Sequence, residues 1–403
     1  MKRMVIPDDV RECMHVLEQA GYEVYIVGGA VRDFLCGRPI HDYDLTTSAS
    51  PAEMQELFHA YQTNTQGLKH GTLGVILQGR KTEITTYRQD NSYTDHRHPG
   101  NVTFTRSVQE DCARRDFTIN AMVYHPDTGI RDFFGGMQDL DSRIIRTVGD
   151  PVQRFEEDAL RIMRAIRFSS ELGFTIEPAT DAAIFRKKED LRYIAAERLQ
   201  EELIRILKAP YGNEVIFRYF PVLQVFLPEI ASVPEALRTL PAVPEMKMAA
   251  LLSAVPESSV HGILTRMKFS REFCIHTEEM IQSLDIPLKN RKDLKHMLNR
   301  MRTPFGDLLT FKSAFDSSIQ KSRMLSIYGD IQNMGDCYRL KDLKINGEDM
   351  IRIGFRNQEI GKALQTILEQ VIEGKLPNEK TSLTAYAEDL FQSADTENTY
   401  NSF

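Results

Sequence analysis

The stretch Val27-Gly28-Gly29-Ala30-Val31-Arg32-Asp33, followed nine residues later by Asp42-Tyr43-Asp44, is the part of the sequence that decides the fold. Residues 24–27 are β-branched or aromatic, which predicts a buried strand, and the two glycines predict a sharp turn after it. Backbone N–H groups at such a turn, with the start of a helix behind them, bind phosphate oxygens. The stretch therefore predicts a strand that ends in a phosphate-binding turn.

The second part of this stretch supplies two carboxylates. We predict a strand over residues 41–46, in which alternation places Asp42 and Asp44 on the same face, about 7 Å apart along the backbone. Two hard oxygen ligands at that spacing suit Mg²⁺, which keeps its other positions for water and substrate phosphates. An Asp-x-Asp alone is commonly a solvated strand end. The order of the glycine turn and the carboxylate pair predicts the front half of a nucleotidyltransferase site.

A further carboxylate follows on a predicted hairpin. Residues 72–77 and 81–87 flank Gln78-Gly79-Arg80, a pattern typical of two strands joined by a tight turn. Glu83 alternates with other residues on one face of the second strand. It is a candidate third carboxylate beside the aspartate pair, and a glutamate that faces water from an edge strand is the alternative. The sequence leaves both open.

Four motifs match, in order, the signatures of one enzyme family. They are GGAVRD at 28–33, DYD at 42–44, RRDFTINAM at 114–122 and EDALRIMRAIRF at 157–168. The chain resembles the class II tRNA nucleotidyltransferases, which include the bacterial CCA-adding enzymes. The resemblance implies template-independent addition of C, C and A to the 3′ end of tRNA from CTP and ATP, with Mg²⁺ as cofactor and release of pyrophosphate. A poly(A) polymerase or an A-adding enzyme of the same family is the alternative.

The resemblance also implies an architecture. It predicts an α/β nucleotidyltransferase head of the DNA polymerase β-like class with a mixed sheet, followed by an all-α neck, body and tail. Helical periodicity does replace the strand pattern after Pro151. We place the catalytic head at residues 1–150, a neck with a nucleobase-recognition helix at 151–210, a helical body at 211–300 and a helical, tRNA-binding tail at 301–403.

The last motif carries the predicted base recognition. Residues three apart on a helix are neighbours, so one helical face would present Asp158, Arg161, Arg164 and Arg167. An ion-paired surface is the alternative, but the resemblance implies that these residues contact the nucleotide and that Asp158 and Arg161 read the base edge. A carboxylate only accepts hydrogen bonds and a guanidinium only donates them, which matches cytosine and adenine and mismatches uracil and guanine. Each buried mispaired group costs about 1–3 kcal/mol.

The triphosphate is assigned to the glycine turn and two arginines. By the same resemblance, Gly29, Arg32 and Arg115 bind the triphosphate. Arginine suits this role because its planar fork pairs with two phosphate oxygens at once. Asp116 would orient Arg115 or help hold the ribose. Asp132 with the glycines at 135–136 resembles the family's hinge between head and neck.

Composition limits the class of protein without identifying it. A chain of 403 residues with 42% hydrophobic content is expected to form two to four domains. Five scattered cysteines predict neither a disulfide framework nor a zinc site, and no apolar run is long enough to cross a membrane. We therefore expect a cytoplasmic protein with no membrane partner. Whether it forms a homodimer is left open by the sequence.

The net charge of −7 argues against a nucleic-acid partner unless cations cluster locally. One predicted helical segment does concentrate them and is the candidate tRNA surface: Lys289, Arg291, Lys292, Lys295, Arg300 and Arg302. A non-catalytic RNA-binding protein is a distant alternative, which the intact carboxylates and arginines disfavour. A dinucleotide-binding dehydrogenase is weaker still, because no Gly-x-Gly-x-x-Gly follows the first strand.

A polar segment from Arg88 to Gly100, almost without apolar anchors, is predicted to be a mobile loop. The resemblance implies that a loop at this place is needed for the final A. Deletion of residues 89–98 should therefore stop synthesis at CC while C addition stays near the parental rate, as measured by gel analysis of products on tRNA lacking CCA. Addition of A at the parental rate would show that the loop has no role, and loss of both C and A would indicate a misfolded head.

Overall fold

The structure is a computed structural model that describes residues 3–90 and 102–400. The chain divides into two compact units, Met1–Ala231 and Ser232–Phe403. Most of the predicted A-addition loop, residues 91–101, lies outside the described residues. The residues that lead into it form a short strand rather than a loop, because Arg88 pairs antiparallel with Phe104.

The first part of unit one is an α/β head. Its helices and strands are α1 (Asp8–Gln19), β1 (Val24–Val27), α2 (Gly29–Leu35), β2 (Asp44–Thr47), α3 (Pro51–Leu57), β3 (Gln62–Asn64), β4 (Thr72–Leu77), β5 (Arg80–Thr86), β6 (Arg88–Asp90), β7 (Val102–Phe104), α4 (Val108–Ala113), β8 (Met122–His125), β9 (Gly129–Asp132), α5 (Gly136–Asp141) and β10 (Ile144–Ile145). Seven strands form one sheet in the order β3-β4-β5-β2-β1-β8-β9. Strands β2 and β5 are parallel and the other neighbours are antiparallel, so the predicted mixed sheet is confirmed.

Strand β1 lies inside this sheet, as its composition predicts. All four of its residues are buried, and it pairs with β2 on one side and β8 on the other. The apolar stripe of α1 is also buried: Val10, Cys13, Met14 and Leu17. The chain leaves β1 through Gly28, whose φ of 73° is left-handed and favours glycine. The glycine turn is thereby held at the edge of a packed core.

The predicted hairpin is confirmed, with a shorter turn than expected. Leu77 pairs directly with Arg80, so the loop contains two residues. Gln78 and Gly79 both have positive φ, 51° and 77°, as a type I′ turn requires. Strand β5 then runs parallel to β2, with Leu45 opposite Ile84. This register places Glu83 next to the start of β2.

Backbone conformation and close packing explain why glycine occupies positions 135 and 136. Gly135 has a φ of 76°, and a Cβ on Gly136 would overlap the carbonyl oxygen of Thr118. The carboxylate of Asp132 accepts hydrogen bonds from the backbone N–H groups of Gly136 and Met137, at 3.0 and 2.9 Å. The segment is therefore a tightly bonded turn at the start of α5, and its hinge role stays a prediction.

The rest of unit one is mainly helical. It contains α6 (Pro151–Glu157), α7 (Leu160–Leu172), β11 (Thr175–Ile176), α8 (Pro178–Lys187), α9 (Ala196–Lys208) and α10 (Gly212–Leu223). The prediction that Asp158 shares a helix with Arg161 is wrong. Asp158 follows the end of α6 with extended backbone angles, and its carboxylate accepts a hydrogen bond from the N–H of Leu160 at 3.0 Å. An aspartate that bonds nearby backbone in this way competes with helix continuation.

Unit two is helical throughout its described part. Its helices are α11 (Pro244–Leu252), α12 (Glu257–Arg266), α13 (Arg271–Ser283), α14 (Arg291–Arg300), α15 (Phe305–Phe315), α16 (Lys321–Met334), α17 (Gly347–Ile353), α18 (Gln358–Ile372) and α19 (Lys380–Tyr400). Fully buried side chains of Met350, Ile367 and Leu383 join the last three helices in one apolar cluster. Within the described ranges, no helix is both long and apolar enough to cross a membrane.

Helix α11 contains a buried lysine. Lys247 is 1% exposed, and burial lowers the pKa of its ammonium group to about 8. In the unfolded chain the pKa returns to its ordinary value of 10.5. The buried charge therefore lowers the free energy of unfolding by its full amount below about pH 8. This destabilisation decreases as the pH rises toward 10.5.

The substitution Lys247→Met should stabilise the protein by roughly 3 kcal/mol at pH 7, because it removes a desolvated charge and replaces the apolar stem of the lysine with an unbranched apolar side chain. Thermal unfolding at pH 7 and at pH 10 measures this, and the gain should shrink at the higher pH. Lys344→Met, which changes an exposed lysine, is the control. An equal gain at both pH values would contradict the assigned cause.

Candidate active site

The two predicted metal-binding carboxylates stand at the beginning of β2. Asp44 is the first residue of the strand, whereas Asp42 precedes it, so the prediction that both lie within one strand is wrong. The reason is the partner strand: Val27 pairs with Asp44, and the chain then turns away at Gly28. No ladder partner remains in β1 for residues 41–43. The turn and the carboxylates thus meet at the same end of the sheet.

The surroundings of Asp44 disfavour its charged form. Burial raises its pKa, and the nearby carboxylates of Glu83 and Asp42 raise that pKa further, while Arg115 opposes them. Glu83 also bonds Lys81, with 2.7 Å between Nζ and Oε1. Among the described residues, no three acidic, histidine or cysteine side chains converge into a metal-binding group. Two clustered carboxylates fit Mg²⁺, which takes one or two of them and completes its shell with water and phosphates.

The glycine turn lies against two guanidiniums. A Cβ on Gly28 would be 3.6 Å from Nη1 of Arg115, and a Cβ on Gly29 would be 3.6 Å from Nη2 of Arg32. These are ordinary van der Waals distances, so both guanidiniums lie directly beside the backbone of the turn. The structure brings the predicted triphosphate-binding residues together at this turn.

Arg32 is held by neighbours that the sequence analysis did not single out. Its Nη1 donates to Oδ1 of Asn120 at 2.9 Å, and its other nitrogens bond Asp33. Its guanidinium also lies 5.0 Å from the ring centre of Phe168 on α7. Asn120 and Phe168 belong to two of the quoted motifs. Arg32 thus connects the glycine turn to both motifs.

Asp111 accepts hydrogen bonds from several residues of the site, and the sequence did not predict this role. Its carboxylate is wholly buried and accepts hydrogen bonds from Arg115 at 3.0 Å and from Arg114 at 2.9 and 2.7 Å. It also accepts from the hydroxyl of Thr46 on β2 at 3.2 Å and from the N–H of Arg88 at 3.4 Å. Burial alone would raise the pKa of Asp111, but the two guanidiniums outweigh burial and lower it. Asp111 lies four residues before Arg115 on a helical segment, and this spacing could have predicted the ion pair.

Asp116 connects the same motif to the neck. It bonds Arg164 of α7, with distances of 2.8 and 2.6 Å from Nε and Nη2 to Oδ2. Burial would raise the pKa of Asp116, but Arg164 outweighs it and lowers that pKa to about 2. This ion pair between a buried carboxylate and a partly exposed guanidinium fixes Asp116 toward the neck rather than toward Arg115, its alternative predicted partner.

Asp158 and Arg161 are each paired with another residue. Nη1 of Arg161 lies 2.5 Å from Oε2 of Glu157, and its Nη2 donates to the carbonyl oxygen of Arg114 at 3.1 Å. Asp158 accepts from Nη2 of Arg198 at 3.1 Å. Sequence reasoning missed Glu157 and Arg198 as partners, although Glu157 is four residues before Arg161. The structure therefore places the two predicted base-reading groups within separate ion pairs.

Arg167 lies inside the neck. It is 2% exposed and bonds Glu202 of α9 at 2.5 Å and Glu171 at 2.9 Å. Its guanidinium stacks over Phe168, 4.0 Å from the ring centre, and Arg164 lies 5.6 Å from the same ring. The predicted single face of three guanidiniums is thus divided: Arg164 turns to the head motif, whereas Arg167 joins two neck helices.

Three parts of the chain match known families. Residues 24–146 match the family described as the poly A polymerase head domain, residues 173–233 the probable RNA- and SrmB-binding site of polymerase A, and residues 244–387 the putative tRNA nucleotidyltransferase domain 2. The CCA-adding enzyme of Lacticaseibacillus paracasei is 36% identical, over 93% of this chain and 94% of that protein. The CCA-adding enzyme of Streptococcus sanguinis is 33% identical, over 96% and 100%.

The chain belongs to the CCA-adding enzyme family. Among solved structures, the CCA-adding enzyme of Bacillus stearothermophilus in complex with CTP is 31% identical, with a TM-score of 0.79 over 97% of this chain and 100% of that chain. The expected polymerase β-like head with a helical remainder is confirmed. Members of this family are nucleotidyltransferases, and they generally use a divalent metal ion.

The substitution Asp111→Asn should raise the KM for both CTP and ATP by about tenfold, equivalent to about 1.4 kcal/mol, because Arg115 loses its charged anchor. Steady-state kinetics with each nucleotide measure this. Asp139→Asn is a matched control, since Asp139 is also buried and paired with an arginine, Arg146. Lower thermal stability with unchanged nucleotide KM would show that Asp111 only supports the fold.

Proposed function

We propose that the residues described above carry out template-independent addition of C, C and A to the 3′ end of tRNA from CTP and ATP. The tRNA 3′ hydroxyl attacks the α-phosphate in line, and pyrophosphate leaves. Catalysis of this kind depends on positioning and on neutralising charge. The assignment rests on family membership together with the convergence of the glycine turn, the carboxylates and Arg115 at one end of the sheet.

The buried, unpaired Nε of Arg115 is the observation that best supports a nucleotide site here. Its Nε is buried and has no hydrogen-bond partner among the described residues, although Asp111 holds another nitrogen of the same group. A buried donor without a partner is costly, and Nη1 of the same guanidinium lies beside the glycine turn, where a triphosphate would supply acceptor oxygens. We assign triphosphate binding to Arg115, Arg32 and the backbone at Gly29.

Asp42 and Asp44 are assigned to Mg²⁺. The clustering of carboxylates that raises the pKa of Asp44 is what a divalent cation relieves. When bound, the ion supplies a lower pKa for the attacking hydroxyl and charge neutralisation for the departing pyrophosphate. Asp42 and Asp44 would hold that charge beside the glycine turn, at the same end of the sheet.

Asp158 and Arg161 are assigned to the base edge. A carboxylate has about four lone-pair sites, so Asp158 keeps acceptor capacity while it bonds Arg198 and the N–H of Leu160. Glu157 and Arg198 orient the two groups and balance their charges. Arg164 and Arg167 position the recognition helix through Asp116 and Glu202.

For the remaining parts, the proposed head covers residues 1–150 and the neck 151–210, with the body at 211–300 and the tail at 301–403. The tRNA is the macromolecular substrate and is bound partly by the helical half. We also assign the protein to the cytoplasm, where charged tRNA is used. These assignments rest on the family and on the helical pattern after Pro151.

The test is incubation with tRNA lacking its terminal CCA and with CTP, ATP or both. Ordered growth by C, C and A supports the proposal. Growth with ATP alone on tRNA ending in CC, but no use of CTP, would indicate an A-adding enzyme. Long products from ATP on unrelated RNA would indicate a poly(A) polymerase.

The substitutions Asp42→Ala and Asp44→Ala should each lower the rate of both C and A addition by about 1,000-fold or more, because metal-borne charge stabilisation is worth several kcal/mol. Binding of tRNA should stay near that of the parent. Single-turnover kinetics and electrophoretic binding assays measure the two effects, with the exposed Asp8→Ala as control. Appreciable turnover by the Asp42→Ala protein in Mg²⁺ would refute the metal assignment.

A further inference from the structure

The tertiary structure divides the predicted basic segment at 289–302 into two kinds of cation. Arg291 and Lys295 both pair with Asp336, at 2.7 and 3.6 Å, and Lys292 pairs with Glu373 at 2.5 Å. These three charges are neutralised within unit two by carboxylates that lie just after α16 and α18. Most of α14 is therefore a structural surface rather than a continuous phosphate-binding face.

The C-terminal end of α14 differs. Arg300 and Arg302 line a cavity of about 600 Å³ together with Arg271, the first residue of α13. Within the part of the chain that the structure describes, none of the three guanidiniums forms an ion pair. We call this cavity the arginine pocket. It combines residues from two segments that are distant in sequence.

The acidic side chains of the arginine pocket are already engaged. Glu278 accepts a hydrogen bond from Nδ1 of His261 at 2.7 Å. Oε2 of Glu279 accepts from the backbone N–H groups of Arg302 and Thr303, at 2.8 and 2.7 Å, and from the Thr303 hydroxyl at 2.7 Å. Both carboxylates thus bond groups other than the three guanidiniums, and among the described lining residues the arginines outnumber the carboxylates by three to two.

Such an arrangement suits an anionic ligand. Like charges held around one cavity repel each other, and bound phosphates relieve that repulsion. The planar guanidinium is the side chain best able to pair with two phosphate oxygens. In a chain with a net charge of −7, a cavity in which exposed arginines outnumber carboxylates is a local point of attraction for a polyanion.

The lining favours a nucleic-acid backbone over a free nucleotide. The nearby amide of Gln282 donates to Glu257 at 2.6 Å, and Phe269 is stacked face to face on Phe273 at 4.2 Å. The groups that would read a base edge or stack on it are therefore occupied by the protein. We propose that the arginine pocket binds consecutive phosphates of the tRNA backbone, which rests on the proposed function and adds a specific contact site to it.

The test compares two triple variants with the same change in net charge. The pocket variant carries Arg271→Gln, Arg300→Gln and Arg302→Gln, and the control variant carries Arg291→Gln, Lys292→Gln and Lys295→Gln. The pocket variant should raise the KM for tRNA lacking CCA by about tenfold or more and make its salt dependence shallower by about two to three in log–log slope. The control should change the tRNA KM by less than about twofold. Both should keep the parental KM for CTP and the parental kcat at saturating tRNA.

Several outcomes would overturn the proposal. Equal effects of the two variants would mean that general charge, not the pocket, attracts tRNA, and no effect of the pocket variant would remove its role. Saturable binding of inorganic pyrophosphate that the pocket variant loses, with tRNA KM unchanged, would identify a small-anion site. The double variant Arg300→Gln and Arg302→Gln leaves the start of α13 intact and serves if the triple variant misfolds.

The outcome for the pocket is separable from that for catalysis. If the parental protein fails to extend tRNA, the proposed function falls. Electrophoretic binding of tRNA to the same two variants then still decides whether the pocket contacts the backbone. Weaker binding by the pocket variant alone supports the pocket, and equal binding overturns it.

Discussion

The buried carboxylate of Asp111 is the constraint on which the proposed site depends. It holds Arg115 beside the glycine turn, holds Arg114 next to the neck, and bonds Thr46 on the strand that carries Asp44. A wholly buried carboxylate is tolerated because two guanidiniums and two further donors satisfy it. One charge thus connects Arg115, which we propose binds phosphate, to the strand that begins with the proposed metal ligand Asp44.

A second set of ion pairs extends this arrangement into the neck. Asp116 holds Arg164, and Glu202 holds Arg167, so α7 is fixed to the head motif on one side and to α9 on the other. Broken buried pairs of this type leave an uncompensated charge and are strongly destabilising. Helix α7 is thereby tied to neighbouring elements, and the two groups that we propose read the base, Asp158 before α7 and Arg161 on it, are held by Arg198 and Glu157.

In the helical half, ion pairs neutralise most of the cations of α14, so these cations do not form a continuous basic surface. Three cations of α14 form ion pairs with Asp336 and Glu373, although in the sequence they look like one basic stripe. Exposed pairs such as these contribute little to stability, but they change which cations are available to a polyanion. A basic run is therefore a poor guide to a phosphate-binding surface until its partners are known.

Local sequence determined the elements and the order of the motifs. The apolar run before Gly28, the Gln78-Gly79 turn and the helical periodicity after Pro151 each depend on neighbours within a few residues, and each was confirmed. What only the tertiary structure decided was the pairing of charges. The arginines paired with Asp116 and Asp158 lie 48 and 40 residues away, and Thr46, which bonds Asp111, lies 65 residues away; no local period encodes such contacts. The break at Asp158 was missed for the same reason, since its side chain bonds the backbone and Arg198 rather than continuing a helix.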